Sequence, residues 1–201
     1  DSGPGTLSGP NPCTTDASGN CSIELNSTTA GVVGLSAHAT VSVAGLTLVR
    51  NTDGTGSNSG PATKTFVDAR ISVTPGQATN EVRNAHDFTA HVQVNNGTGW
   101  VDAPDGTSVS FTVSAPGTVT PSSCTTTSGA CTVSVNSQTA AVVTVNASTT
   151  VTVGGLSLTR ATGDNLPGDG SNATKTFVDA RISITPGQAT NEVRNAHDFT
   201  A

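Results

Sequence analysis

Four cysteines have the most definite chemistry in this sequence, because they form two matching pairs. Cys13 and Cys21 lie in CTTDASGNC, and Cys124 and Cys131 lie in CTTTSGAC. Each pair brackets Thr-Thr and Ser-Gly, a pattern typical of a hairpin tip, where two cysteines face each other within the ~5.5 Å Cα separation of a disulfide. Zinc is the alternative, but neither pair has CxxC spacing and no histidine lies beside them. We therefore predict two disulfides and an oxidising, extracellular setting.

The histidines do not form a catalytic or metal-binding set. His86 and His91 are five residues apart, and such positions in an extended strand point to opposite faces, so their rings cannot converge on one metal. His38 is replaced by Ser148 at the equivalent position of an internal repeat, and no G-x-S-x-G motif occurs. We expect that the protein is not an enzyme and uses no cofactor.

Two acidic, oxygen-rich loops could bind calcium, a cation that takes about six to eight oxygen ligands. One is DGTGSNSG, which begins at Asp53, and the other is DNLPGDGSN, which contains Asp164 and Asp169. Neither loop has the ligand spacing of an EF-hand, and their compositions differ. We interpret both as glycine-rich surface loops and predict no metal site, with calcium as the alternative.

The composition argues against two classes of partner and favours strands. The formal net charge is −6 and 11% of residues are charged, so we expect no binding to the phosphate backbone of a nucleic acid. No run approaches the ~18 apolar residues of a membrane span, so we expect no membrane insertion. Thr, Val, Ser, Gly, Ala and Asn dominate in alternating runs, which is typical of short strands and tight turns.

The sequence repeats with a period of 111 residues. Residues 64–90 and 175–201 differ at one position, where Val73 is matched by Ile184. A period longer than the roughly 20–50 residues of solenoids indicates that each copy is a whole domain. We divide the chain into the C-terminal part of one repeat, a complete repeat and the N-terminal strands of the next, at residues 1–68, 69–179 and 180–201.

The complete repeat contains about seven alternating runs, separated by Pro-Gly, Asn-Gly and Gly-Gly turns and without helical periodicity. This pattern predicts an all-β fold, a Greek-key β-sandwich. Its large core candidates are Phe88, Phe111, Phe177 and Trp100. The remaining core has to consist of Val, Ile and Ala, so we expect a thin core that the disulfide helps to stabilise.

Three stretches carry a family resemblance: TPGQATNEVRNAHDFTA from Thr74, APDGTSVSFTV from Ala103 and CTTTSGACTV from Cys124. They resemble the bacterial immunoglobulin-like domains of the invasin and intimin type, which form tandem repeats in large secreted or surface proteins. The resemblance covers essentially the whole chain. It implies tandem immunoglobulin-like sandwiches, one complete and two partial, at the cell surface or in a secreted filament, with a structural or adhesive role and no specified ligand.

The two lysines, Lys64 and Lys175, occupy the same position in their copies. Some Gram-positive surface immunoglobulin-like domains join a lysine to an asparagine with the help of a neighbouring carboxylate. A comparable cross-link here would use Asn80 or Asn95 with Asp87. The alternative is that these lysines are polar edge-strand residues that discourage unwanted strand pairing.

The junctions between copies are short, because KTFVDA passes directly into RISVTP without a Gly/Ser- or Pro-rich linker. Few free dihedrals remain, so neighbouring domains should keep a nearly fixed orientation. We expect a structural segment of a long extracellular stalk or filament, whose partners are neighbouring domains of the same or an identical chain. The alternative is an adhesive module that recognises a host, glycan or partner-cell surface, with Trp100 as its binding candidate.

The partial copies raise a further expectation. A half-sandwich exposes apolar surface and unpaired strand edges, so we expect the 201 residues to be a window of a longer covalent chain. Strand exchange between separate chains is the alternative. Joining residue 201 of one chain to residue 1 of the next would, however, omit the equivalents of HVQV and SVSFT.

Overall fold

The computed structural model describes residues 2–201, and all of their regular structure is β-strand. No helix that could cross a membrane occurs within this range. Eleven strands form a two-layer sandwich: β7 (Asp68–Thr74), β8 (Gln77–Glu81), β9 (His86–Asn95), β10 (Trp100–Asp102), β11 (Ser108–Val113), β12 (Thr118–Thr120), β13 (Ser123–Thr125), β14 (Ala130–Asn136), β15 (Ala141–Val153), β16 (Leu156–Ala161) and β17 (Ala173–Val178).

In the first sheet, β10 and β14 pair with one edge of β9, β7 pairs with the opposite edge, and β12 pairs with β14. The second sheet has the order β13-β11-β15-β17-β8, and β16 also pairs with β15. Side-chain alternation separates core from surface in both sheets. On β9, Phe88, Ala90 and Val92 are fully buried, while the residues between them face outward. The chain therefore has the immunoglobulin-like β-sandwich fold that its sequence predicts.

The chain passes from one sheet to the other between the first two strands of the sandwich, β7 and β8. β7 pairs antiparallel with β9 in the first sheet, whereas β8 pairs parallel with the last strand, β17, in the second. Pro75 and Gly76 separate β7 from β8, at the break that the sequence predicts. The start and the end of the repeat are therefore hydrogen-bonded neighbours.

The core contains few aromatic residues, as predicted. Phe88, Phe111 and Phe177 are buried among valines and alanines. Trp100 is not part of it, so this part of the core prediction is wrong. Trp100 begins the three-residue edge strand β10 and is 37% exposed. Its ring instead lies on the guanidinium group of Arg70, 4.3 Å from the ring centroid.

Both predicted disulfides are present, with Cα separations of 6.0 Å for Cys13–Cys21 and 5.9 Å for Cys124–Cys131. The sequence suggested that each disulfide closes a hairpin of paired strands, but the second disulfide does not. Cys124 lies on β13, which pairs with β11, and Cys131 lies on β14, which pairs with β9. This disulfide therefore joins the two sheets at the edge of the core.

Residues 2–66 form six further strands, which we call the preceding half-copy: β1 (Thr6–Ser8), β2 (Glu24–Asn26), β3 (Gly31–Leu35), β4 (His38–Val43), β5 (Leu46–Asn51) and β6 (Ala62–Phe66). They pair as β1-β2, β3-β6 and β4-β5. Val41 and Val43 are exposed here, whereas the equivalent Val151 and Val153 are buried in the complete sandwich.

Residues 180–201 contain no strand, and their one pairing is an isolated bridge between Thr185 and Thr200. Ile182 and Val193 are 86% and 84% exposed. The equivalent residues of the complete sandwich, Ile71 and Val82, are buried. Apolar side chains of the same sequence are thus covered in one copy and uncovered in another.

Replacing both Cys124 and Cys131 by Ala should lower the free energy of unfolding of the sandwich by about 2.5 kcal/mol, because a short closed loop no longer restricts the unfolded chain. The measurement is urea unfolding, monitored by near-UV circular dichroism. Replacing Cys13 and Cys21 is the matched control, because that disulfide lies outside the sandwich. Equal effects of the two double variants would contradict a special role for the disulfide between the sheets.

Candidate functional site

The junction between the preceding half-copy and the sandwich is one residue long. β6 ends at Phe66 and β7 begins at Asp68, so only Val67 separates the two strands. The β15–β16 turn contacts this residue, since a Cβ on Gly154 would lie 3.0 Å from Cγ1 of Val67. The connection is therefore short and also packed against the sandwich.

A second junction contact is the loop that follows β9. The buried Asn95 side chain accepts the backbone N–H groups of Gly97 and Gly99 at 2.9 Å and 3.1 Å. Gly97 has a φ of +102°, and a Cβ there would lie 2.8 Å from Cγ2 of Thr65 on β6. The loop needs glycine both for its backbone conformation and for its close approach to the half-copy.

Arg160, on β16, fixes the first residues of β7. Its Nη2 lies 2.6 Å from Oδ1 of Asp68, and its Nε donates to the carbonyl of Ala69 at 2.7 Å. This pair is not among the contacts that the sequence predicted. A signal for it was present, because arginine ends both TVSVAGLTLVR and TVTVGGLSLTR, and aspartate recurs in both copies of KTFVDA.

Asp169 covers the free edge of β7. Its Oδ1 accepts the N–H of Ile71 at 2.7 Å, while the N–H of Gly170 donates to the carbonyl of Ile71 at 2.8 Å. The Asp169 side chain is 1% exposed, and its Oδ2 lies 3.9 Å from Nε of Arg160. Burial raises the pKa of Asp169 to about 6, and the charge of Asp164 adds to this rise, whereas the Ile71 hydrogen bond and Arg160 lower it.

The structure gives the three calcium candidates partners within the protein. Asp53 accepts hydrogen bonds from Thr55 and Asn58, and the Thr55 bonds lower its pKa. Asp164 accepts the backbone N–H groups of Ala161 and Leu166. Residues 2–201 contain no group of three acidic, histidine or cysteine side chains placed to hold a metal ion.

Lys175 and Asn80 meet where β8 pairs with the last strand, β17. In the register of this pair Lys175 lies beside Ala78, and Phe177 lies beside Asn80. Lys175 is fully buried, and its Nζ lies 2.7 Å from Oδ1 of Asn80 and 4.9 Å from the ring centroid of Phe177. Burial lowers the pKa of this lysine.

The other residues of the predicted cross-link lie elsewhere. Lys64 is exposed in the half-copy, with its Nζ 5.8 Å from the centroid of the Phe66 ring. Asn95 is occupied by the loop at the junction. Asp87 faces outward and accepts a hydrogen bond from Ser134, because successive β9 residues alternate between the faces. Of the predicted set, the structure brings together only Lys175 and Asn80.

A polar cluster extends from Trp100 across the outer face of the first sheet. Arg70 donates to Oε1 of Gln93 at 2.9 Å and 2.6 Å while it stacks on Trp100. His91 Nε2 lies 2.8 Å from Oδ1 of Asp102. His86 faces the interior instead, in edge contact with Phe88, so the two histidines lie on opposite faces as predicted.

No protein-family model matches this sequence, and no curated protein matches it significantly. Among solved structures, the chain is similar to the D0-D1 domain of intimin, at 22% identity and a TM-score of 0.34, covering 88% of this chain and 77% of that one. It is also similar to the D00-D0 domain of intimin, at 20% identity and a TM-score of 0.41, covering 87% and 78%. Likenesses at this level carry no functional conclusion.

Asp169→Asn should reduce the pH dependence of stability. Because the folded-state pKa of Asp169 is raised, its contribution to stability is fully present below pH 3.8 and is lost as the pH rises to about 6. Asparagine keeps an acceptor for the Ile71 N–H but does not ionise. Urea midpoints measured across this range should diverge in favour of the variant as the pH rises, and parallel curves would contradict the assignment.

Proposed function

We propose that this chain is a segment of a long extracellular stalk or filament built from tandem immunoglobulin-like domains, whose partners are neighbouring domains of the same kind. The observation that supports this most directly is the one-residue connection between β6 and β7. A connection that short leaves the two copies little freedom to reorient. Stiffness over many copies is what a spacer needs in order to hold a distal part away from its anchor.

The contacts around Val67 add to this stiffness. The Gly154 turn, the Gly97 loop and Arg160 approach the junction from three separate parts of the sandwich. The aspartate of the junction recurs at Asp179, where it again accepts the next backbone N–H at 2.8 Å, as Asp68 does. Identical junctions imply the same rotation at each step, and repeated rotation and translation generate a rod or fibre.

The strand order also suits a molecule under tension. β8 and β17 are parallel, so forces applied at the two ends of the domain pull these neighbours in opposite directions along their length. Their five paired positions then resist together rather than opening one after another. We therefore assign the sandwich a mechanical role in place of a catalytic one, with no cofactor.

The disulfides support a location outside the cytoplasm, because such bonds persist in oxidising compartments. A secreted filament and a surface stalk both meet this condition. The acidic net charge of −6 also suits a protein that does not bind nucleic acid.

An adhesive role is a second candidate, and one specific observation favours it. Trp100 is exposed and stacks on Arg70, and hydrogen bonds continue from Arg70 through Gln93 and Asp102 to His91. Exposed tryptophan and arginine are common anchors of binding surfaces. Such a surface would recognise a glycan, a host or a partner cell from the side of the rod.

Gly97→Val should loosen the junction, because valine disfavours the positive φ and its Cβ would collide with Thr65. In ¹⁵N relaxation measurements, amides of β3 and β6 should share one rotational correlation time with the sandwich in the unaltered chain. In the variant the half-copy should tumble faster than the sandwich. Gly60→Ala is the control, since its Cβ meets open space. Independent tumbling in the unaltered chain would overturn the rod proposal.

Trp100→Ala distinguishes the two candidate roles, because the side chain lies outside the core. We expect unchanged circular dichroism and a small loss of stability from the lost contact with Arg70. Under the stalk role, beads coated with the variant adhere to glycan arrays and cells as poorly as beads coated with the unaltered chain. Specific adhesion that disappears in the folded variant would establish the adhesive role instead.

A further inference from the structure

Lys175 is the fully buried basic residue of the sandwich, and it has no counter-ion within the part of the chain that the structure describes. Among residues 2–201, the ion pairs involve His91 and Arg160 and none involves Lys175. A lysine ammonium has three N–H donors, and the contacts of Nζ are one amide oxygen and one aromatic ring. A buried charge without a partner of opposite sign is strongly destabilising. The site therefore favours a nitrogen that carries no charge.

An uncharged Lys175 nitrogen has a lone pair and lies next to an electrophile. Burial lowers the pKa of Lys175, which raises its neutral fraction. Nζ is 2.7 Å from the Asn80 Oδ1, so the side-chain carbonyl carbon lies only ~1.2 Å beyond that oxygen along the C=O bond. The amide nitrogen of Asn80 points toward the carbonyls of Asn84 and Ala85, at 3.5 Å and 3.4 Å, which orient the side chain.

We propose that Lys175 and Asn80 form an intramolecular isopeptide bond between Nζ and Cγ. The Nζ lone pair attacks Cγ, and the Cγ–Nδ2 bond breaks after one proton passes from Nζ to Nδ2. One C–N bond forms and one C–N bond breaks, ammonia leaves, and the product is a neutral secondary amide. The reaction needs no oxidant, reductant or further reactant.

His86 is the group that we assign to carry the proton. It directly follows Ala85, whose carbonyl lies beside the Asn80 amide nitrogen. Its Nε2 is buried without a hydrogen-bond partner in the described chain. Asp87, the carboxylate that the sequence suggested, points to the opposite face of β9 and binds Ser134.

The bond would join the first and last strands of the second sheet and close a loop between positions separated by 95 residues. Tension along the chain would then pass from β8 to β17 through a covalent bond, and the residues between them would stay folded. This consequence goes beyond the proposed stalk role and does not depend on it, because bond formation is intramolecular.

The repeat supplies internal controls. Lys64 matches Lys175 but is exposed and lies on β6, whose one partner strand within residues 2–201 is β3. Asn191 matches Asn80, and its amide nitrogen makes the same contacts, to Asn195 and Ala196 at 3.5 Å and 2.9 Å. Among the described residues, the one hydrogen bond between a lysine and an asparagine side chain joins Lys175 to Asn80, so Lys64 and Asn191 each lack a partner for the bond. One bond, and one only, is therefore expected in this 201-residue chain.

The test is the mass of the full chain, measured by electrospray mass spectrometry after both disulfides are reduced. We expect the chain to be lighter than its sequence by one ammonia, about 17 Da. Because Asn96-Gly97 could lose ammonia by cyclisation, the position is then read from a tryptic digest. The bond predicts a branched peptide that joins residues 71–83 to residues 161–181, with no cleavage after Lys175.

Variants complete the test. Lys175→Met and Asn80→Ala should each restore the full mass, whereas Lys64→Met and Asn191→Ala should keep the deficit. His86→Gln, checked for folding by circular dichroism, should slow the loss of ammonia at least tenfold when chain that is isolated unfolded is first allowed to fold. Full mass in the unaltered chain, with free peptides from both strands, would overturn the bond. An unchanged rate in the His86 variant would overturn only the role of that histidine.

Discussion

Parallel pairing of β8 with β17 brings the start and the end of the sandwich into one sheet. Without it, β17 would be an edge strand with unpaired backbone groups, and β8 would have no sheet to join. The hydrogen bonds from Val82 to Val178 and from Thr174 to Gly76 extend the pairing at both ends. Apart from β7, every strand of the domain lies in sequence between these two strands, so their contact determines whether the domain closes.

The thin core makes edge contacts unusually important. Three phenylalanines and a set of valines and alanines fill the space between the sheets, and small side chains bury little area each. The Cys124–Cys131 disulfide joins the sheets at one edge, and Asp169 with Gly170 covers the edge of β7. Polar and covalent contacts at the edges of the sheets thus add to the modest stability that burial of apolar side chains provides.

The junction and the Trp100 cluster are neighbours that use different side chains, because Asp68 and Trp100 pair with Asn95 from opposite sides. At the junction, Val67 and the Gly97 loop hold one copy against the next, and Arg160 fixes the first residues of β7. The tryptophan lies on the outer face of the first sheet with Arg70. A rod with a lateral binding face is physically consistent, because neither set of contacts competes with the other.

The sequence by itself determined seven of the eleven strands of the complete copy, the two disulfides and the opposite faces of His86 and His91, since alternation and turn residues are local signals. It did not predict β8 or the three-residue strands β10, β12 and β13. It did not determine that β13 and β14 lie in different sheets, that Trp100 is outside the core, or that Lys175 reaches Asn80. These depend on pairing between distant segments. Residues 64–90 and 175–201 show most directly how far local sequence determines structure, because these near-identical segments have two different structures.

In the second segment the local features persist. Arg194 keeps the positive φ of Arg83, the His197–Phe199 edge contact repeats that of His86 and Phe88, and the bridge at Thr185 keeps the register of β7 with β9. The strands are lost, and Phe199 is 53% exposed whereas Phe88 is fully buried. Turns follow from local sequence. A strand also needs a neighbour to pair its backbone and an opposing sheet to cover its apolar face, and only the tertiary structure supplies these.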